Sequence, residues 1–520
     1  MSLLKSASTV SLLTLASRIT GLVRDVLFSS VFGVSALTDA YNIAFRIPNL
    51  FRRVLGEGAF TQAFVPVLAA TKTAEGEAGA KQLVDHIGTL LIWTLVLLCI
   101  AGIVGAPLMV WAIASGLQKS GGFDAAVVMT RWMFPYIGFM SLVALAGGIL
   151  NTWRKFVVPA ASPVLLNIAL ITSIVVGAPL FRRWGIEPIY AQCVGVMVGG
   201  VLQLALQLPA LRRIGMLPRI GVSFVAMRAS WNDPVTRKVL RLMVPALIGV
   251  SGAQISLLIN TQIASHLAEG SVSWITNADR LMEFPSALLG VALGVVLMPQ
   301  LAVARAAQDD ARFSSLLDWG LRLILLLALP CALALLVFAK PLVSVLFHNG
   351  AFSALDVQRT SVALMGYGTG LLGIVAIKVL AAGFYARHDM RTPMRVSLGT
   401  LALTQVLNIF LVPSLQHAGL TLSIGLAQLV NAGLLVLLLR RSGSFRPEPG
   451  WARFIGQVLA GMLVLAVLLV WANQHFDWVA LREQRLLRIG LLAGVLAAAA
   501  VLYFGTLTLL GVRLRSFIKR

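Results

Sequence analysis

An all-α polytopic membrane fold of about fourteen transmembrane helices is what this sequence predicts, on three observations. Mean hydropathy is +0.89, with 58% hydrophobic and only 12% charged residues, whereas a soluble domain carries about a quarter charged. Apolar runs of about 20 residues, the length that crosses a hydrocarbon core, recur from end to end. No stretch is long and polar enough to form a soluble domain. The net charge of +22, from 42 Lys and Arg against 20 Asp and Glu, would suggest nucleic acid in a soluble protein. In a membrane chain, basic loops that set topology explain most of it.

Apolar periodicity and its punctuation place the span centres near residues 20, 52, 99, 140, 169, 200, 251, 288, 330, 370, 403, 430, 462 and 499. The first apolar stretch is interrupted by Arg18, so it reads as a retained helix and not a cleavable signal. Basic loops then alternate. Lys72 and Lys81 follow span two, and Arg154 and Lys155 follow span four. A long basic stretch around Arg212 to Arg241 separates spans six and seven. Arg305, Arg387 and Arg440 follow spans eight, ten and twelve. All fall on one side, which predicts cytoplasmic termini. Arg182, Arg183 and the Arg482–Arg485 stretch are exceptions on the other side.

The polar connection near the middle divides the chain into two lobes: 1–215 (six spans), a cytoplasmic linker 216–235, then 236–445 (six spans), with 446–520 left as a helix pair. The halves echo each other. Arg46-Ile-Pro48 resembles Glu283-Phe-Pro285, with Pro66 and Pro299 following, and Arg154 with Pro159 resembles Arg387 with Pro393. Two pseudo-symmetric bundles around a central cavity is a common transporter plan.

Eight charges lie in the first two spans: Arg18, Arg24, Asp25, Asp39, Arg46, Arg52, Arg53 and Glu57. A charge at the centre of a spanning helix costs about 2.5–3.5 kcal/mol, so these side chains are expected to line a polar cavity. At 100° per residue Arg18 and Asp25 lie about 20° apart, with Arg24 about 120° round. Asp39, Arg46 and Arg53 form a seven-spaced stripe. Pro48 and Gly56-Glu57-Gly58 should bend span two. Internal pairing alone is the competing explanation, but three acids cannot neutralise five arginines, so the cavity should hold an anion. Span eight adds Asp279, Arg280 and Glu283, which could equally be a local interfacial salt bridge. The planar guanidinium suits bidentate phosphate binding, so Arg18, Arg24, Arg52 and Arg280 together would make a diphosphate clamp. Lys378, deep in span ten, is a further possible cavity residue; Arg131 reads as interfacial.

Other patterns carry no chemistry. Gly368-Thr-Gly370-Leu-Leu-Gly373 matches a dinucleotide string but lies in an apolar span without a preceding strand. Close helix packing explains it better, as for Gly195/Gly199 and Gly290/Gly294. Asp309-Asp310 reads as a solvated turn. The six histidines show no metal spacing, and Cys99, Cys193 and Cys331 read as small core residues. No nucleotide-binding phosphate loop is present.

The segments Ser17-Arg18-Ile-Thr-Gly21-Leu-Val-Arg24-Asp25, Thr38-Asp39-Ala40-Tyr41, Arg46-Ile-Pro48-Asn49-Leu-Phe-Arg52-Arg53 and Glu57-Gly58-Ala59-Phe60 resemble the MurJ/MviN family. So do Ala278-Asp279-Arg280 with Glu283-Phe-Pro285, and Phe384-Tyr385-Ala386-Arg387. That family comprises bacterial lipid II flippases of the multidrug/oligosaccharidyl-lipid/polysaccharide exporter superfamily, and the resemblance covers essentially the whole chain. It implies fourteen helices in two six-helix lobes, plus a C-terminal pair forming a groove for the polyprenyl tail. It implies a substrate of undecaprenyl diphosphate bearing the peptidoglycan disaccharide-pentapeptide. It implies that Arg18, Arg24, Arg52 and Arg280 bind substrate, that Asp39 gates, and that Asp25 and Glu283 orient the arginines.

The resulting expectation is a multi-pass protein of the bacterial inner membrane that flips lipid II by alternating access and works as a monomer. Lipid II and membrane lipids are its partners. No enzyme activity, cofactor, metal, ATP or nucleic acid is expected. The rivals are a flippase for another polyprenyl-diphosphate oligosaccharide, a drug or cation antiporter of the same fold, and a membrane enzyme acting on lipid-linked sugars. An antiporter cavity should be acidic or aromatic, and the enzyme would need a catalytic carboxylate or metal site in an extramembrane loop.

Overall fold

The computed structural model describes residues 3–52, 60–513 and 517, with side chains at all of these except 3–8, 11, 246, 248–253 and 291–296. Every regular element among the described residues is a helix, with no strand among them. They form two compact units, Met1–Val272 and Ser273–Arg520.

Ten helices among the described residues are long and apolar enough to cross a membrane, and each contains one of the expected span centres. The remaining four centres are those near 20, 52, 251 and 288. Large apolar side chains stand exposed on the spans, among them Leu97, Val176, Phe410, Val467 and Val501. Their environment is lipid in a membrane protein, where exposing them costs nothing.

In the first unit, α1 (Leu3–Phe32) and α2 (Ala36–Phe51) are followed by α3 (Thr61–Val104), which is broken at Gly76, where φ is +71°. Short helices α4 (Ala106–Ala114), α5 (Leu117–Ser120) and α6 (Phe123–Met133) lead into α7 (Tyr136–Thr152). Next come α8 (Val157–Thr172), a π-turn over Ser173–Gly177, α9 (Ala178–Arg183) and α10 (Tyr190–Arg213). Residues 224–232 make α11 (Phe224–Asn232), and α12 (Pro234–Ser265) starts on an Asp233 cap with proline at its first position. In sequence α12 opens the second half of the chain. In the structure it packs on α3 and α4 within the first unit.

The second unit contains most of α13 (Ser271–Ala306), then α14 (Asp310–Val337), α15 (Ala339–Phe347), α16 (Ala354–Tyr385), α17 (Arg391–Leu415) and α18 (His417–Arg441). It closes with α19 (Trp451–His475) and α20 (Arg485–Leu509). The glycine string reads correctly as packing. A Cβ at Gly370 would strike the Gly425 backbone, and one at Gly373 would strike that of Gln428, so α16 and α18 are in backbone contact.

The C-terminal pair docks on α14 and α15. Leu326 and Phe338 share a core with Val458, Leu469, Trp478 and Leu507. Buried Asp318 accepts hydrogen bonds from the Glu448 amide, 3.0 Å, and from the Trp451 indole, 2.6 Å, and forms an ion pair with Arg322 at 2.7 Å. At the exceptional Arg482–Arg485 stretch and just after it, two arginines have structural work. Arg488, 1% exposed, donates to the His348 carbonyl just past the end of α15, and Arg482 donates to the Gly350 carbonyl. A cation favours a helix C-terminus in this way.

Candidate functional site

The α1 charges diverge. Arg24 is held by three of its five N–H groups: Nε and Nη2 donate to Asp25 Oδ1 at 2.9 and 2.6 Å, and Nη1 donates to Asn167 Oδ1 of α8 at 3.0 Å. Side-chain exposure is 14% for Arg24 and 18% for Asp25, so the pair is largely screened from water. Asn167 also donates to the Ser17 carbonyl, 2.9 Å, and to the Thr20 hydroxyl, 3.2 Å. One carboxamide thereby fastens α8 to one turn of α1 and holds the guanidinium plane. Arg18 lies one face away and is exposed.

Beside this cluster the first unit contains a cavity of about 380 Å³ between α1, α7, α8 and α10. Arg52, at the end of α2, lines it together with Ser17, Asn151, Asn167, Gln203 and Gln207. Arg52 Nε donates to Asn49 Oδ1 at 3.2 Å. Arg24, through Asn167, and Arg52 therefore belong to one polar wall.

The stripe on α2 faces elsewhere. Asp39, 4% exposed in the first turn of α2, accepts from the Gly270 amide at 2.8 Å. Glu269 accepts from the Ala36 amide at 2.8 Å. Arg46 donates to the Thr261 hydroxyl at 2.6 Å. The same end of α12 reaches the α4–α5 junction: Gln262 accepts from the Ser115 amide, 2.9 Å, and donates to its hydroxyl, 2.6 Å, while Ser265 accepts from the Gly116 amide at 3.2 Å. Asp39 and Arg46 thus bind α2 to α12 and to the turn after it. Arg53, Glu57 and the expected bend at Gly56–Gly58 lie outside the described residues.

In the second unit, Arg280 pairs with Glu283 at 3.2 Å, one turn apart on α13. Lys378 of α16 donates to the Ser286 carbonyl at 2.9 Å and lies against Gly290, where a Cβ would collide with it. Lys378 is a tie between α13 and α16.

Several functional partners carry no mark in the sequence. Asn167, Gln203 and Gln207 are single polar residues in apolar runs, Thr261 lies in a short polar step with Asn260 and Gln262, and the Arg24–Asn167 bond spans 143 positions. Periodicity sees neither.

The comparisons with known proteins agree with one another. The family model for lipid II flippase MurJ matches residues 28–503. A lipid II flippase MurJ from Burkholderia cenocepacia is 50% identical over the full length of both chains. A probable lipid II flippase MurJ from Vibrio cholerae is 35% identical, covering 99% of this chain and 97% of its own. Among solved structures, a lipid II flippase MurJ in an inward closed conformation superposes with a TM-score of 0.77 at 22% identity, covering 96% of this chain and 99% of that one. An inward-facing multidrug transporter of the MATE family gives 0.63 at 15% identity, covering 82% and 94%. These two support the fold alone. On its sequence, the chain belongs to the MurJ family of lipid II flippases.

Proposed function

We propose that the chain moves lipid II, the undecaprenyl-diphosphate-linked disaccharide-pentapeptide, from the inner to the outer leaflet of the bacterial cytoplasmic membrane by alternating access. The observation that carries this reading is Arg24, fixed by Asp25 and Asn167 in a polar wall that Arg52 shares. A guanidinium held in place offers its fork to a phosphate without paying for ordering at the moment of binding. Arg18, Arg52 and Arg280 complete the set of substrate arginines, with Glu283 orienting Arg280.

The ties at Asp39, Glu269, Gln262 and Ser265 lie at the outer end of their helices if the termini are cytoplasmic. They then hold the outer side shut while the inner side loads the head group. The polyprenyl tail stays in lipid or along the C-terminal helix pair. There is no chemical step and no nucleotide, and one copy suffices. Inside-negative potential favours return of the empty, positively charged site toward the cytoplasm, by about 2.3 kcal/mol per charge per 100 mV.

A drug or cation antiporter on this fold is disfavoured by the same wall, since Arg52 lines it and, among the described residues, no acidic residue does. A flippase for another polyprenyl diphosphate shares all this chemistry and is separated by family membership. The test is depletion of the protein in its host with assay of lipid II on the outer leaflet. Lysis with lipid II retained on the inner leaflet is expected; normal outer-leaflet exposure would overturn the reading.

A further inference from the structure

The cavity beside Arg52 contains two acceptors that no protein group satisfies. Gln203 and Gln207, 2% and 1% exposed, lie one turn apart on α10 and both line it. Their amide orientations are set by Ser162 of α8. Gln203 Nε2 donates to the Ser162 carbonyl at 3.0 Å, which can only accept. Gln207 Nε2 donates to the Ser162 hydroxyl at 2.8 Å, and that hydroxyl donates in turn to the Val158 carbonyl at 3.3 Å. Both Oε1 atoms are therefore left as acceptors, and neither takes a hydrogen bond from the protein. Buried acceptors of this kind are otherwise almost always satisfied.

Two carbonyl oxygens repel an anion, so this part of the wall does not suit the diphosphate. It suits an uncharged group rich in O–H and N–H donors that lies next to a phosphate. The volume, about 380 Å³, is at the lower end of the range for ligand pockets. It admits one sugar residue and not the whole head group. Met140, Val143, Pro159 and Leu166 supply apolar surface for a sugar's C–H face. We propose that this pocket receives the amino sugar attached to the diphosphate, with Gln203 and Gln207 accepting from its hydroxyl or N–H groups while Arg52 meets the adjoining phosphate. This rests on lipid II being the substrate, and it makes the two glutamines determinants of sugar recognition.

The test titrates the purified full-length protein in lipid nanodiscs with lipid II and with undecaprenyl diphosphate, which has no sugar. The Gln203→Met/Gln207→Met variant should bind lipid II about tenfold more weakly, the loss expected for two hydrogen bonds. Its affinity for undecaprenyl diphosphate should be unchanged. Unchanged affinity for both would overturn the proposal. If both affinities fall together, Ala144→Leu decides, because it fills the cavity from α7 and keeps every glutamine bond. Loss of the preference for lipid II then supports the pocket, and retention overturns it. A wild-type protein that binds neither ligand overturns the lipid II reading itself.

Discussion

Arg24 engages all three of its guanidinium nitrogens with two acceptors from two helices. A lysine could reach one of these acceptors but not both in a plane. Arg24→Lys is therefore expected to fail nearly as completely as Arg24→Ala when each is asked to support growth after depletion of the wild type. Membrane levels should stay normal; full rescue by lysine would show that charge alone matters. Asn167→Leu should lose about 1–3 kcal/mol of thermal stability, since it strands Arg24 Nη1 and frees the Ser17 turn. A midpoint unchanged from wild type would argue against that tie. The charged motif on α1 was legible because ionised groups in a span are conspicuous by their cost. The geometry was not. Helical angles place Asp25 nearest Arg18, yet it pairs with adjacent Arg24, whose long side chain bends back to it.

At the scale of the helix, the echo between the two halves has a conformational counterpart. Arg154 after α7 and His388 after α16 both adopt left-handed backbone, with φ of +57° and +58°. In each case the following amide bonds back five residues, Lys155 to Leu150 and Asp389 to Phe384, the usual helix-ending pattern. Sequence showed the basic loop and later proline but not this turn, because neither residue is a glycine. Element packing also sorts the glycines. Gly370→Leu should destabilise by at least about 1–3 kcal/mol, because α16 cannot back away from Gly425 without opening the interface. Gly399→Ala on α17 meets open space and should be neutral or slightly stabilising. Thermal unfolding in detergent measures both, and equal midpoints would refute the close approach.

For the whole molecule, length and hydropathy made the spans legible, and ten of them are met among the described residues. Where the chain divides was less legible. The polar stretch near 216–235 marks a change in composition, whereas the compact units part after Val272, because α12 gains its apolar neighbours on α3 and α4. Docking of the C-terminal pair depends on Asp318, which joins α14 to the segment before α19. Asp318→Leu should release that segment, seen as new protease cleavage near residues 446–451, because the Glu448 amide and the Trp451 indole lose their acceptor. Protection equal to wild type would assign the docking to the apolar core alone. Transport should slow when the membrane potential is dissipated at constant pH gradient. Undiminished export would exclude a reset driven by charge.

The turn at 266–270 and the helix end before it hold five hydrogen bonds within a few residues, to Ala36, Asp39, Ser115 and Gly116. Each is worth about 1 kcal/mol net, so together they correspond to several thousandfold in the lifetime of the state that makes them. Bonds so close in sequence break together, which makes departure from that state abrupt. Changes at Glu269 or Gln262 therefore alter how long the transporter waits between strokes, with substrate affinity left as it was.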